Sequence, residues 1–183
     1  IPTPVPTEPA CTILNLKPTP GPDTPSLFSS VSAEDHMRGA ENATVTILVY
    51  NDFQCTECNY LDVSQQLLEN HPDDIRFVYR HFPYTDLFDK SDLAARAAEA
   101  AAAQGKFWEM HDLLFAKQAD WVTLPPDEFK AWVAKEAEGL GLDRVQFETD
   151  LVESVIAAKV QSAEAEARLA GITVLPLVII NGE

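Results

Sequence analysis

Two runs of β-branched and aromatic residues in the first half of the chain predict strands. The first, TVTILVY, covers residues 44–50, and the second, IRFVYRHF, covers residues 75–82. Both have the length and the apolar character of strands inside a sheet. Between them apolar residues recur near helical spacing until His71-Pro72 ends the pattern. The order strand, helix, strand predicts a parallel crossover, with the first strand at the centre of the sheet.

The second half of the chain has an almost continuous helical pattern from about residue 90 to residue 170. Its segments are DLAARAAEAAAAQ, KFWEMHDLLFAKQ, PPDEFKAWVAKEAEGLG, DRVQFETDLVE and VIAAKVQSAEAEARLAG. Gly105 ends the first segment, and a proline pair opens the third. The alanine run is typical of a strong helix former and indicates no cofactor site, so no cofactor is expected.

After this block, GITVLPLVIING returns to a strand pattern, which Pro176 interrupts and Asn181-Gly182 ends with a hairpin-turn signal. The pattern as a whole predicts an α/β fold with a block of helices between the second and the last strand-like segments. No strand-like segment follows that could pair with residues 177–180, so one edge of the sheet would lie open. We therefore expect the natural chain to extend beyond Glu183, or residues 11–17 or a neighbouring chain to complete the sheet.

Composition divides the chain into two parts. Eight of the 13 prolines lie in the first 25 residues, which favours an extended spacer over a folded module. We predict a proline-rich linker or stalk over residues 1–32 and one domain over residues 33–183, with the helical block at about 90–170. Such a stalk is compatible with a membrane anchor outside the sequence given, and Cys11, which lies within it, has no assigned role.

The formal net charge of −16, from 29 acidic and 13 basic residues, opposes binding to the phosphate backbone of nucleic acids. We expect no nucleic-acid partner. An acidic, solvated exterior explains this charge without a specific cationic partner.

Cys55 and Cys58 stand three residues apart where the first helical pattern begins. In helical geometry their Cα atoms would lie about 5 Å apart, within the range of a disulfide. We predict that the cysteines open the helix, where backbone N–H groups and the positive end of the helix dipole would lower the pKa of the Cys55 thiol. Cys55 would then attack, and the more buried Cys58 would resolve the mixed disulfide.

Two other interpretations of the cysteine pair are weaker. A structural zinc site needs four ligands, and no second pair stands at zinc spacing. Beyond the pair the chain offers only Cys11 and the scattered His36, His71, His81 and His111. A purely structural disulfide would close too short a loop to stabilise much. Metal delivery through the two cysteines is a further alternative, without a nearby Met or His in the sequence to support it.

Several segments resemble the DsbA-like thioredoxin-fold oxidoreductases of bacteria. They are YNDFQCTECNYL, YRHFP, QGKFWEMHDLLF and GITVLP followed by LVIING. The resemblance implies a thioredoxin-like fold in which the helical block is an insertion before the strand that follows Pro176. Such a fold also needs a strand pairing with residues 177–180 and a final helix covering the sheet, which are missing from the sequence given. The resemblance further implies an extracytoplasmic enzyme that exchanges disulfides with cysteine-containing exported proteins and is recycled by a redox partner. It also implies that Pro176 is a cis-proline facing the cysteines, and that Leu175 offers its backbone to the substrate. A peptide- or partner-binding module with secondary redox activity is the alternative.

Three features of the sequence, at four positions, depart from the pattern of this family. Val49 stands where members often carry an acidic residue, which leaves Asp52 as a weak candidate for a buried proton acceptor. Leu175 replaces the threonine or valine that usually precedes the cis-proline. The central dipeptide of the motif, Thr56-Glu57, which we expect to contact substrate, lacks the proline, histidine or aromatic residue that members often place there.

Glu57 bears on the direction of electron transfer. At a separation of about 7 Å and an effective dielectric constant near 40, its carboxylate would repel a Cys55 thiolate by roughly 1 kcal/mol. We expect this repulsion to raise the pKa of Cys55 and to make the couple more reducing by roughly 20 mV. The sequence leaves oxidase, reductase and isomerase directions open.

Overall fold

The structure is a computed structural model that describes residues 28–182. Cys11 and most of the predicted stalk lie outside the described residues, so the division at residue 32 stays a prediction. Four strands form one sheet in the order β1-β3-β2-β4. Their bounds are His36–Gly39 for β1, Val45–Asn51 for β2, Ile75–His81 for β3 and Leu177–Ile180 for β4.

Strands β2 and β3 are parallel and joined through a helix, as the sequence predicts. Their register runs from Val45 opposite Ile75 to Asn51 opposite His81. The two outer strands, β1 and β4, are antiparallel to their neighbours. Within the described residues β4 pairs with β2 alone, and the strand that the sequence analysis expects beyond it stays a prediction.

Seven α-helices lie around the sheet in the part of the chain that the structure describes. They are α1 (Leu61–Asn70), α2 (Ser91–Ala102), α3 (Phe107–Ala116), α4 (Gln118–Trp121), α5 (Pro126–Gly139), α6 (Arg144–Val152) and α7 (Ser154–Leu169). Helix α1 connects β2 to β3, and the other six lie between β3 and β4. The α/β thioredoxin-like fold with a helical insertion before the proline strand is therefore confirmed. None of these helices is both long and apolar enough to cross a membrane, as judged over residues 28–182.

Alternating side chains of β2 serve two separate cores. Ile47 and Val49 pack with β3 residues beneath α1, whereas Leu48 and Tyr50 belong to the core that includes Ala167 of α7. Because successive side chains of a strand point to opposite faces, one apolar run supplies both layers. This explains why TVTILVY has no polar alternation.

The largest apolar cluster lies among the inserted helices. Its members are almost completely buried and come from α2, α3, α4, α5 and α6, together with Phe53 and Tyr79 from the sheet region. Alanines of α2 allow close helix packing, and large side chains fill the space between the other helices. The inserted helices therefore have a hydrophobic core of their own. This core contacts the sheet through Phe53 and Tyr79, and Phe53 lies two residues before Cys55.

Strand β1 is absent from the sequence-based prediction. Its sequence, HMRG, has no alternating apolar pattern, and its strand conformation comes from pairing with β3. The strand ends at Gly39, which has a φ of 112° and approaches the carbonyl oxygen of Ile75 so closely that a Cβ atom would collide with it. Long-range pairing thus creates an element that local propensity does not indicate.

Candidate redox-active site

Cys55 and Cys58 form a disulfide, with their Cα atoms 5.2 Å apart. Cys58 is 1% exposed, whereas Cys55 is only partly buried. This asymmetry agrees with the expectation that Cys58 is the more buried of the two. An incoming sulfur atom therefore reaches Cys55 more easily than Cys58.

The prediction that the cysteines open an α-helix is wrong. Cys55 precedes a single 3-10 turn, Thr56–Cys58, which Cys58 ends, and α1 begins only at Leu61. The intervening Asn59 interrupts the helix, because its amide donates to the carbonyl of Phe115 at 3.0 Å and its carbonyl oxygen accepts from the Leu61 N–H at 3.1 Å. The dipole of α1 therefore starts several residues beyond Cys55. A dipole effect on the Cys55 thiol is correspondingly weaker, since it falls off within the first turn.

Side-chain amides hold the main chain of the cysteine turn, defined here as residues 55–58. Asn51 donates to the carbonyl of Cys58 at 2.9 Å. Gln118 of α4 donates to the carbonyls of Phe53 and Cys55, at 2.8 and 3.0 Å. A residue of the sheet, Asn51, thus holds the Cys58 carbonyl, and a residue of the helical insertion, Gln118, holds the Cys55 carbonyl.

The Leu175–Pro176 peptide bond is cis, as the family resemblance implies. Register places this bond at the same end of the sheet as the cysteine turn. Leu177 pairs with Tyr50, the penultimate residue of β2, so the preceding Pro176 comes level with Asn51, which binds the Cys58 carbonyl. Pro176 is exposed, whereas the side chain of Leu175 packs against the core on the α7 face.

An apolar groove runs between α1 and β4, beside the cis-proline. Its lining is almost entirely hydrocarbon and comprises Ile47, Val49, Tyr60, Val63, Ser64, Leu67, Phe77, Pro176, Val178 and Ile180. Tyr60 stands two residues after Cys58, so the groove begins next to the cysteine turn. The side chains of Thr56 and Glu57 are exposed at the surface of that turn.

Asp52 is buried beneath the turn and fully hydrogen-bonded. Its carboxylate accepts from the Ser91 hydroxyl at 2.5 Å, the Tyr84 N–H at 2.7 Å and the Gln54 N–H at 2.8 Å. Burial raises the pKa of this carboxyl above its ordinary value, against the opposing effect of those hydrogen bonds. Its main-chain carbonyl also accepts from the Cys55 N–H at 3.3 Å. Asp52 therefore contacts Cys55 through its main-chain carbonyl, and its role as a buried proton acceptor stays a prediction.

A chain of polar side chains that the sequence analysis missed supports Tyr60 from below. Arg38 donates to Asp112 at 2.7 Å, His111 Nδ1 contacts the other carboxylate oxygen at 2.8 Å, and His111 Nε2 contacts the Tyr60 hydroxyl at 2.9 Å. Burial lowers the pKa of His111 to about 4, although Asp112 opposes this shift. His111 is therefore neutral near pH 7, donates from Nδ1 to Asp112 and accepts at Nε2 from Tyr60.

The order of elements, the cis-proline and the disulfide turn together define a thioredoxin-fold protein with a Cys-X-X-Cys motif. The profile of a family described as thioredoxin matches residues 31–183. The chain belongs to this thioredoxin family.

Solved structures of DsbA-like proteins share the fold. The crystal structure of α-DsbA1 from Wolbachia pipientis matches with a TM-score of 0.72 and 19% identity, covering 82% of this chain and 76% of that one. DsbA2 from Pseudomonas aeruginosa matches with a TM-score of 0.64 and 26% identity, covering 83% and 82%. A thioredoxin-like oxidoreductase from Silicibacter pomeroyi gives 0.65 and 27%, covering 82% of each chain. These matches confirm the DsbA-like resemblance.

Curated relatives are longer proteins. The Na+/H+ antiporter NhaA 3 of Salinispora tropica is 38% identical over 149 residues, which are 81% of this chain and 22% of that protein. The antiporter NhaA of Herminiimonas arsenicoxydans is 35% identical over 149 residues, with the same coverage. The chain thus spans about a fifth of the length of these relatives.

Proposed function

We propose that this protein is a thiol-disulfide oxidoreductase that exchanges disulfides with cysteine-containing exported proteins through Cys55 and Cys58. The observation that carries the proposal is the disulfide between a partly exposed and a buried cysteine at the sheet end that also holds the cis-proline. Membership of the thioredoxin family and DsbA-like structural neighbours support thiol-disulfide exchange as the activity.

The exchange proceeds in two balanced steps. In the reducing direction the Cys55 thiolate attacks a substrate disulfide, so that a mixed disulfide forms and one substrate sulfur leaves as a thiolate. Cys58, after losing its proton, attacks the Cys55 sulfur and expels the second substrate thiolate. The substrate gains two electrons, and the protein ends with the Cys55–Cys58 disulfide. The same steps in reverse oxidise a substrate dithiol.

The apolar groove and the backbone of Leu175 provide the proposed substrate site. The Leu175 side chain is partly buried against the core on the α7 face, and its backbone N–H and C=O are the groups that would pair with an extended substrate segment. Apolar side chains of that segment would enter the groove beside Pro176, while Thr56 and Glu57 would meet residues flanking the substrate cysteine. Unfolded proteins supply both features, an extended backbone and exposed apolar side chains.

An extracytoplasmic location follows from this proposal. Newly exported proteins acquire disulfides in oxidising compartments, whereas cytosolic thiols are kept reduced. A separate redox partner must restore the Cys55–Cys58 pair to its starting state after each turnover. Whether that partner delivers or removes electrons sets the direction, and the reduction potential of the pair, measured against glutathione, decides it.

Replacement of each cysteine tests the mechanism. Cys55→Ser should abolish turnover of a disulfide substrate such as insulin, because it removes the attacking sulfur. Cys58→Ser should instead accumulate mixed disulfides between Cys55 and substrate, visible as an adduct by intact-protein mass spectrometry. Cys11→Ser is the matched control and should turn over normally. Wild-type activity in Cys55→Ser would contradict the mechanism.

The apolar groove also favours a second candidate, a peptide-binding module with secondary redox activity. In that case the Cys55→Ser, Cys58→Ser double variant would bind an unfolded, cysteine-free peptide as tightly as the wild type. The wild type would at the same time show negligible turnover of protein disulfides. Slow turnover together with tight binding would favour this candidate over the oxidoreductase.

A further inference from the structure

Two of the histidines that look scattered in the sequence meet around one buried glutamate. His36 lies at the start of β1, His81 at the end of β3, and Glu99 in the last turn of α2. Their potential ligand atoms all lie within 4.8 Å of one another. None of the three belongs to the cysteine turn or to the apolar groove.

Both imidazole rings point a nitrogen at the same carboxylate oxygen. The Nε2 atoms of His36 and His81 lie 2.7 and 3.0 Å from Glu99 Oε1. Three separate elements of the fold therefore aim two nitrogens and one oxygen at a common point. Such convergence of neutral imidazole and carboxylate groups is the ligand set that zinc and other first-row divalent metals take in proteins.

A cation already occupies the other side of Glu99. The Lys159 ammonium lies 2.6 Å from Oε2, while its side chain is 49% exposed and that of Glu99 only 3%. Lys159 comes from α7 and can turn outward into solvent without disturbing the core. Its departure would leave the Glu99 carboxylate in need of a positive charge and would open a path to the site.

We propose that His36, His81 and Glu99 form a binding site for a divalent first-row transition metal, for which Zn2+ is the probe, and that Lys159 competes with the metal for Glu99. The ion would be held by His36 Nε2, His81 Nε2 and a Glu99 carboxylate oxygen, with water completing the coordination. Three protein ligands and one open position are the usual arrangement of an accessible zinc site.

The surroundings of the His81 ring limit the affinity for the metal. His81 Nδ1 is buried and has no hydrogen-bond partner among the described residues. When Nε2 binds a metal, the ring proton must sit on Nδ1, where ligating histidines normally find an acceptor. Loss of such a partner typically weakens metal binding about 10- to 100-fold. Competition from Lys159 weakens it further, so we expect a micromolar dissociation constant.

Isothermal titration with ZnCl2 tests the site directly. The protein is used as the full chain in a Cys11→Ser background, metal-stripped and with Cys55–Cys58 oxidised, so that no thiol can bind zinc. We expect one-to-one binding that disappears in His36→Ala. His71→Ala removes an exposed histidine outside the cluster and should leave binding unchanged. Circular dichroism and disulfide exchange activity establish that His36→Ala is folded.

Lys159→Met gives the sharper result, because it removes the ammonium and keeps most of the side chain. Zinc should bind at least about 10-fold more tightly and should raise the melting temperature of this variant more than that of the wild type, since a ligand stabilises the state that binds it. Lys135→Met, at an exposed lysine of α5, is the matched control.

A different pattern would overturn the metal site. If the cluster serves only as a hydrogen-bond network, Lys159→Met loses stability and zinc does not restore it. Absence of saturable binding up to about 1 mM zinc, a limit of roughly −4 kcal/mol in binding free energy, would contradict the proposal. So would one-to-one binding that persists undiminished in His36→Ala.

Discussion

The helical insertion and the groove face of the sheet use the same kinds of side chain in opposite ways. In the insertion, Trp121, Phe129 and Phe147 are completely buried. Along the groove, Val63 and Ile180 expose 61% and 50% of their surface. Both regions border the cysteine turn, the insertion through Gln118 and the groove through Tyr60. Within residues 28–182 one region has buried its apolar surface on folding, whereas the other leaves it exposed, either to a substrate or to the strand and helix expected beyond Glu183.

From this contrast we expect the helical insertion to contribute mainly to stability and the groove to contribute mainly to substrate recognition. Buried apolar area contributes to the free energy of folding whether or not a substrate is present. Exposed apolar area contributes only when a partner covers it. Substitutions in the insertion should therefore change the free energy of unfolding, and substitutions in the groove should change turnover of protein substrates.

Trp121→Ala should give the largest effect on stability. The side chain is fully buried, packs on Phe129 and donates from Nε1 to the Leu114 carbonyl at 2.9 Å. Removing it leaves a cavity and an unpaired carbonyl, so we expect a loss of about 3–5 kcal/mol in chemical denaturation. Val155→Ala, at an exposed position of α7, should stay within about 0.5 kcal/mol. If both variants lost the same free energy of unfolding, the buried side chains of the insertion would not be the source of stability.

His111 should make the insertion sensitive to acid. Its folded-state pKa of about 4 lies below the ordinary value of 6.5, so the unfolded chain takes up the proton first as the pH falls. The contribution of neutral His111 to the free energy of unfolding is fully present above pH 6.5. It is lost progressively as the pH falls to 4, and the total loss is about 3 kcal/mol. His111→Gln, which keeps two hydrogen-bonding atoms, should flatten this part of the pH profile.

The exposed His71 provides the matched control for that measurement. His71→Gln should leave the pH dependence of denaturant unfolding as it is in the wild type. If His111→Gln shows the wild-type slope between pH 6.5 and pH 4, another group governs the acid sensitivity. The neutral Tyr60–His111–Asp112 arrangement would then need revision.

Val63→Ser combined with Ile180→Ser should affect recognition without affecting stability. Both side chains are largely exposed, so the free energy of unfolding should change by less than about 0.5 kcal/mol per site. Under the proposed function, turnover of an unfolded protein substrate should fall several-fold, while exchange with glutathione disulfide, which is too small to fill the groove, stays unchanged. If turnover of the protein substrate and exchange with glutathione disulfide fell equally, the groove would not be a recognition site for protein substrates.

Glu57→Gln should have the smallest effect. The carboxylate is exposed beside Cys55, and exposed charges are screened by salt within about 10 Å at 0.1 M. We expect the variant to shift the reduction potential by less than about 20 mV in the oxidising direction, measured against glutathione at low salt. Thr56→Ser changes the neighbouring exposed residue without changing the charge, and it should leave the reduction potential unchanged. A shift in the reducing direction would contradict repulsion of the Cys55 thiolate by Glu57.

Sequence patterns predict the strands β2 and β3, the crossover and the helical block because each depends on local apolar periodicity. The cysteine pair is visible through its spacing, and the cis bond before Pro176 through family resemblance. Strand β1 escapes such reasoning because it depends on pairing with β3. The α-helix predicted at Cys55 fails because Asn59, through contacts with Phe115 and Leu61, delays the start of α1.

The partners of the site are the least predictable part. Gln118 reaches the Cys55 carbonyl across 63 positions of sequence, and His36 reaches Glu99 across 63 positions. Neither residue stands in a local pattern that marks its role, since a glutamine in a helix and a histidine before a strand are ordinary surface residues. Only the packing of the insertion against the sheet brings these side chains to their partners.

The two amide contacts on the cysteine turn also have a consequence for directed evolution. Asn51 and Gln118 hold the carbonyls of Cys58 and Cys55, whereas the side chains of Thr56 and Glu57 project into solvent. A combinatorial library at these two central positions would therefore sample new redox potentials on an almost unchanged backbone. A library that also randomised Gln118 would mix changes in potential with changes in the geometry of the turn, and its variants would be much harder to rank by chemistry alone.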